Sequence, residues 1–257
     1  MRLLAIDIGN THTEIGLYRQ RELCTSWRVT TALSRTEDEL MAYLHYFLLS
    51  SQLTPQQIDD LAISSVVPSL TSHFVRLTEK YFRNHPFIVD HTVELGLEVV
   101  YEPPSAVGAD RLCNAVAAFE KYGGPAVVVD LGTATTLDVI DAKGRYLGGA
   151  IAPGLETSAW GLHERASKLP SISLEYPRHT IGRTTEESMQ SGIVLGTVKM
   201  IDGLIEEIEK ELKQPPRVVA TGGLAGVVAK RSRYIQMVEP NLVLEGLMRI
   251  YFKNRGS

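Results

Sequence analysis

Apolar stretches open the chain and are broken at short intervals. Leu3–Ile8, Thr13–Tyr18 and Leu23–Thr30 are rich in aliphatic and β-branched residues and separated by turn chemistry, which predicts three consecutive strands. The period then changes. In "SRTEDELMAYLHYFLLSS", Ser34 can cap a helix, acids fill its first turn, and apolar residues recur at helical spacing from Leu40 to Leu49. "DLAISSVVP" reads as a buried strand ending at Pro68, "SLTSHFVRLTEKYF" as a helix, and "FIVD" as a short strand. A proline-containing connection, "YEPPSAVGAD", leads into an apolar helix, "RLCNAVAAFEKY".

The pattern then restarts. "GGPAVVVDLGTATTLDVID" repeats the opening order of apolar strand, Asp, Gly, Thr and second strand, and "GRYLGGAIAPGL" supplies a third. A helical region from about Thr185 to Leu212 carries Gly192, Gly196 and Gly203, which are expected to serve close packing. "RVVATGG" is a strand ending in a glycine turn, and "NLVLEGLMRIYFKN" a closing helix. "LLAIDIGNTHTEIGLY" and "VVVDLGTATTLDVI" thus share strand, Asp-x-Gly, hydroxyl, strand. Repetition of a whole supersecondary unit predicts duplicated halves, 1–115 and 116–257, joined near Ala115–Gly124.

Composition narrows the function class. The 257 residues suit one large or two smaller domains, and a net charge of -4 provides no basic field for nucleic acid. No uninterrupted apolar run approaches the ~18–20 residues of a membrane span. The start, "MRLLAIDIGN", lacks the shape of a signal peptide. Cys24 and Cys113 are far apart without metal-ligand spacing, so they read as free thiols. The seven histidines show no metal spacing either, and "IEEIEKELK" reads as a solvated helical face. These features together predict a reduced, cytoplasmic enzyme or binding protein.

The two Asp-Gly turns carry the chemistry. A tight turn after a strand presents backbone N–H groups into a concavity, and glycine lets a ligand approach closely. Thr11, Thr13, Thr133 and Thr135 add hydroxyls, making a neutral cradle for phosphate. An Asp beside phosphate needs a metal ion between the like charges, and hard oxygen ligands favour Mg²⁺. One such turn is equally a plain hairpin. Two, at equivalent places of a duplication, point to a clamp on one polyphosphate in a cleft between the halves.

"DIGNT", "GADR", "DLGTATT" and "ATGG", in this order, resemble the acetate kinase/sugar kinase/heat-shock-70/actin superfamily. More narrowly, "WRVTT…RTEDEL", "SSVVPSLT", "YEPPSAVGADR", "GGAIAPGL", "TTEESMQSGI" and "ATGGLA" resemble the type III pantothenate kinases over nearly the whole chain. The resemblance implies an α/β protein of two ribonuclease-H-like (actin-like ATPase) domains with an interdomain cleft holding ATP. It implies phosphorylation of (R)-pantothenate to 4′-phosphopantothenate, the first step of coenzyme A synthesis. Asp7, Ile8, Gly9, Asn10, Thr11, His12, Thr13 and Glu14 would form the first phosphate turn, with Asp7 beside Mg²⁺. Asp130 would hold a monovalent cation, K⁺ or NH₄⁺, and Thr133 would contact ATP. Gly222 and Gly223 would lie against adenine or ribose.

In "GADR", Asp110 resembles the family's proton acceptor, and Arg111 suits the pantothenate carboxylate. Tyr101, Gly108, Ala109 and Thr185 join them in the substrate pocket by resemblance, with Thr184 an adjacent candidate. The residues alone leave alternatives open. Asp110 could be a helix cap and Arg111 a surface ion-pair partner. Asp130 could cap its own turn, Thr185 could cap the long helix, His12 could be solvated, and Gly222–Gly223 could be a helix-entry turn. The family further implies a homodimer, with "ESMQSGIVLGTVKMIDGLI" a candidate face and pantothenate bound where the second subunit closes the pocket. Two competing functions are a non-catalytic accessory transcriptional regulator and a related alcohol kinase. Asp110 and Arg111 speak against the first, and "YEPPSAVGADR", poor in hydroxyl-binding acids and amides, against the second.

Overall fold

A computed structural model of the chain describes residues 1–255. The first apolar stretches form an antiparallel meander, β1 (Arg2–Ile8), β2 (His12–Arg19) and β3 (Glu22–Thr30). Helix α1 (Glu37–Ser50) follows, then β4 (Asp60–Ser65), α2 (Pro68–Leu77) and β5 (Phe87–Ile88). The sheet order is β3-β2-β1-β4-β5, with β4 and β5 parallel to β1. A two-residue strand, β6 (Glu98–Val99), precedes α3 (Ala109–Tyr122).

Two boundaries differ from the sequence expectation. The cap of α1 is Thr36 rather than Ser34: its hydroxyl accepts from the Glu39 N–H while the Glu39 carboxylate accepts from the Thr36 N–H at 2.8 Å. Such a reciprocal pair satisfies two otherwise orphaned donors, which Ser34 is too far upstream to do. Pro68 starts α2 instead of ending β4, because the first helical position needs no N–H.

The second unit repeats this plan with β7 (Ala126–Leu131), β8 (Ala134–Ile140) and β9 (Arg145–Pro153) as its meander. Next come α4 (Leu155–Arg165), α5 (Thr185–Gln190), a π turn over Ser191–Leu195, and α6 (Gly196–Leu212). Then β10 (Arg217–Thr221), α7 (Ala225–Ala229) and β11 (Met237–Val238) close the unit, giving the strand order β11-β10-β7-β8-β9 with β10 and β11 parallel to β7. Strand for strand this is the arrangement of the first unit, so each is a ribonuclease-H-like sheet. Val127, Val129 and Leu131 of β7 pack with Val198, Ile201 and Ile205 of α6. The glycines expected to serve close packing do not do so within this chain. A Cβ at Gly192 or Gly203 would meet no atom within 4 Å, and one at Gly196 only the Ser191 carbonyl at 3.9 Å.

The last helix, α8 (Leu242–Arg255), returns to the first unit. By their contacts the units are Met1–Ala117 with the segment from Leu242, and Ala118–Asn241, so the division falls inside α3 and the C-terminal half is not the continuous 116–257 that the duplication suggests. On one face of β1, Leu4, Ile6 and Ile8 join Leu40, Leu44 and Leu48 of α1 and Leu70 and Phe74 of α2. Leu3 and Ala5, on the other face, are also fully buried, and α8 contacts β1, β2 and β4. Cover on both faces is why β1 reads as an unbroken apolar run rather than an alternation. Gly246 makes the approach of α8 possible, since a Cβ there would run into the backbone of Cys113. Among the described residues, no helix is long and apolar enough to cross a membrane.

Candidate active site

Within the first unit, β1 ends in polar residues where the sheet meets its turn. Register places Glu14 of β2 opposite Asp7 on one side and Ser64 of β4 on the other, with Arg28 of β3 opposite Glu14. Directly opposed residues share a face of a sheet, so Arg28, Glu14, Asp7 and Ser64 form one polar row across four strands. Ser64 Oγ donates to Asp7 Oδ1 at 2.7 Å. Arg28 lies 3.7 Å from Glu14 and 2.8 Å from His12 Nδ1, so His12 is held by a neighbour rather than left in solvent. Burial pushes the Glu14 carboxyl above its usual range, and the Arg28 charge offsets only part of this.

The loop itself is tied down from both ends. The Gly9 N–H donates to the His12 carbonyl at 3.0 Å, and the Thr31 N–H to the Thr11 carbonyl at 2.9 Å. The Thr31 hydroxyl donates to the Gly9 carbonyl at 2.7 Å and lies 2.9 Å from the Thr13 hydroxyl. Thr31, just past β3, therefore straps the turn. Asn10 is exposed, and Ile8 and Thr13 are buried.

Helix α3 brings "GADR" to the same end of the sheet. Ala109 is buried, and Asp110 and Arg111 are half-buried in its first turn, where an anionic side chain is favoured. The Arg111 N–H donates to Asp110 Oδ1 at 2.8 Å. A Cβ at Gly108 would fall against Asp110 Oδ1 and 3.2 Å from Val66, so a side chain there would push the Asp110 carboxylate aside. Three residues after Asp110, the fully buried Cys113 thiol feels the charges of both Asp7 and Asp110. Burial first, then the Asp7 charge, push this thiol far above its ordinary pKa, so it stays protonated. The structure thus gathers Asp7, Glu14, Ser64, Cys113 and Asp110. Tyr101 is half-buried in the connection ahead of α3.

In the second unit, Asp130 ends β7 with Thr136 of β8 and Thr221 of β10 opposite it. The Gly132 N–H donates to the Ala134 carbonyl at 3.1 Å. The Thr133 carbonyl accepts from the Gly154 N–H at 3.1 Å and from the Thr157 hydroxyl at 2.6 Å. Gly154 and Thr157 strap this turn as Thr31 straps the first. Gly222, at φ +91°, lies so close that a Cβ would be 2.7 Å from the Leu131 carbonyl oxygen and 2.8 Å from Asp130 Oδ1. Asp130, Gly132, Thr133 and Gly222 are therefore one cluster, with Gly223 exposed beside it. Thr135 is buried with no hydrogen-bond partner for its hydroxyl, whereas Thr13, at the matching place in the first turn, has Thr31. Thr185 is the exposed first residue of α5, and the helix is capped by Thr184, whose hydroxyl accepts from the Glu187 N–H at 3.2 Å.

Among the described residues, no group of three or more His, Cys, Asp or Glu side chains is placed to hold a metal ion by itself. A single carboxylate such as Asp7 at the turn suits a hard cation such as Mg²⁺, which takes one or two carboxylates and completes its shell with phosphate oxygens and water. Ser64, Cys113, Thr31, Arg28, Gly154 and Thr157 are the site residues that sequence reasoning did not single out. The "WRVTT" and "SSVVPSLT" segments contain three of them. Only strand register shows what they touch.

A family model described as type III pantothenate kinase matches residues 3–207. A type III pantothenate kinase of Syntrophotalea carbinolica is 45% identical over 254 residues, covering 99% of this chain and 100% of that protein. One from Myxococcus xanthus is 44% identical over 255 residues, again covering 99% and 100%. Among solved structures, a Campylobacter jejuni protein described as a Baf family transcriptional activator superposes with a TM-score of 0.64 at 17% identity, covering 99% of this chain and 100% of that one. The ROK hexokinase of Thermus thermophilus does so with a TM-score of 0.56 at 14% identity, covering 100% of both chains. At such identities these two structures speak to the fold alone.

Proposed function

Because the chain belongs to the type III pantothenate kinase family, we propose that it transfers the γ-phosphoryl group of ATP to the 4′-hydroxyl of (R)-pantothenate, giving ADP and 4′-phosphopantothenate, the opening step of coenzyme A synthesis. The observation that carries this is the placement of Asp110. It stands in the first turn of α3, and through Cys113 and Ser64 it shares surroundings with Asp7.

Phosphoryl transfer to an alcohol asks the protein for positioning, charge neutralisation and an acceptor for the hydroxyl proton. Asp110 takes that proton as the alcohol oxygen bonds to phosphorus. Arg111 beside it pairs with the pantothenate carboxylate, for which its planar fork is suited. Tyr101, Gly108, Ala109 and Thr185 complete the substrate pocket. The Asp7–Glu14 turn meets the nucleotide phosphates, with Asp7 as the carboxylate that holds Mg²⁺. When bound, Mg²⁺ neutralises charge on the phosphate oxygens. Thr133 and the Gly222–Gly223 turn contact the nucleotide.

Asp130 holds a monovalent cation, K⁺ or NH₄⁺. The hydroxyl-bearing Thr136 and Thr221 beside it in register support this. The protein acts in the cytoplasm as a homodimer. The exposed Gly192 and Gly203, which no atom of this chain approaches within 4 Å of a Cβ position, leave room there for a partner's backbone. The test is ATP-dependent phosphorylation of pantothenate by purified protein, with and without K⁺ or NH₄⁺. Turnover stimulated by either cation is expected, and none in any condition would overturn the reading.

A further inference from the structure

A buried serine in a strand of aliphatic residues needs a reason. Ser64 follows Leu61, Ala62 and Ile63 in β4, and all four are fully buried. Its single O–H is committed to Asp7 Oδ1 at 2.7 Å. Cys113 of α3, also fully buried, shares these surroundings. Sheet register makes the contact of Ser64 with Asp7 compulsory, because β1 and β4 run parallel with Asp7 level with Ser64.

We propose that Ser64 is a positioning residue that fixes the Asp7 carboxylate for its metal. The inference rests on the reading of Asp7 given above. An aspartate carboxylate turns easily about its last bond unless hydrogen bonds hold it. One oxygen anchored by a buried donor sets the plane of the group, so its approach to a cation at the turn is settled before the nucleotide arrives. Partners of metal-binding carboxylates commonly act in this way, and their loss weakens metal binding without touching the metal.

The test compares Ser64→Ala, Ser64→Thr and Asp7→Asn with the unaltered protein. Calorimetric ADP binding over a Mg²⁺ series, which needs no turnover, gives the Mg²⁺ concentration at half-saturation. Ser64→Ala should raise that concentration about 10–100-fold. It should lower kcat while leaving KM for pantothenate within about twofold, since the substrate side is not reached through Ser64. Ser64→Thr, which keeps the hydroxyl, should recover most of the loss. An unshifted Mg²⁺ midpoint in a folded Ser64→Ala protein overturns the proposal, whatever happens to its melting temperature. If Ser64→Ala does not fold, Ser64→Cys, which leaves a much weaker donor in the same place, should move the midpoint in the same direction, and no movement overturns it equally. Asp7→Asn separates the two ideas. If it shifts the midpoint and Ser64→Ala does not, Ser64 alone loses its role. If Asp7→Asn itself leaves the midpoint unchanged, the reading of Asp7 falls first.

Discussion

Asp110, the proposed proton acceptor, is tightly framed. Gly108 gives it room, the Arg111 N–H occupies one of its oxygens, and the start of α3 supplies a field that favours its charge. Asp110→Asn keeps size and shape but cannot accept a proton. Turnover should fall by about 10²–10⁴-fold with ADP binding intact, and turnover at the unaltered rate would remove Asp110 from its role. Asp141 illustrates a carboxylate used for stability alone. In the β8–β9 turn it accepts from the Lys143 and Arg145 N–H groups, each at 2.9 Å, and from Arg145 Nε at 2.7 Å. Burial by itself would raise its pKa, yet the hydrogen bonds from Arg145 and Lys143 together hold it below the usual value. A native pKa below the unfolded value, about 3.9, means stabilisation present above about pH 4 and lost as pH falls through the native value. Urea unfolding should show Asp141→Asn about 1–2 kcal/mol less stable at pH 7, with the difference fading below about pH 4. A pH-independent gap would contradict this.

At the scale of elements, the two Asp-Gly turns are built alike and strapped by different residues. Thr31 gives both its N–H and its hydroxyl to the first. On the second, the N–H comes from Gly154 and the hydroxyl from Thr157, and a Cβ at Gly154 would sit 2.5 Å from the Thr133 carbonyl oxygen. Gly154→Ala should therefore displace the second turn and lower kcat/KM for ATP by about tenfold or more, since small misplacements at a reacting site are costly. Gly161→Ala, in the middle of α4 with no atom within 4 Å of a Cβ, is the contrasting case. It should leave the kinetics unchanged and stabilise the protein by about 0.5–1 kcal/mol. Equal effects of the two substitutions would show that the strap plays no part.

For the whole molecule, the decisive feature is the return of α8 to the first sheet. Leu244, Leu247, Ile250 and Tyr251 are buried on it, the Tyr251 hydroxyl donates to Asp60 Oδ2 at 2.8 Å, and Asn254 donates to the Glu94 carbonyl at 2.9 Å. Each large apolar side chain so buried contributes about 1.5–3 kcal/mol, and several together rival the ~5–15 kcal/mol that holds a whole domain folded. A chain ending at Asn241 should lose the first unit's fold. Limited proteolysis would then cut within 1–117 first, and protection equal to that of the full chain would refute the claim.

Local sequence settled most of the elements and the positions of both turns, because strand alternation, helical spacing and Asp-x-Gly chemistry act between residues a few places apart. β1 to β3, α1 and α3 lie where the hydrophobic pattern puts them, and the echo of Asp7 in Asp130 is a true repetition of topology. Tertiary structure decided what no local pattern encodes. Ser64 reaches Asp7 across 57 residues, and α8 closes the first sheet rather than the second. Parallel strand register and the burial of a helix on a distant sheet are set by the packing of the whole unit. A residue such as Ser64, unremarked among aliphatic neighbours, acquires its meaning only there.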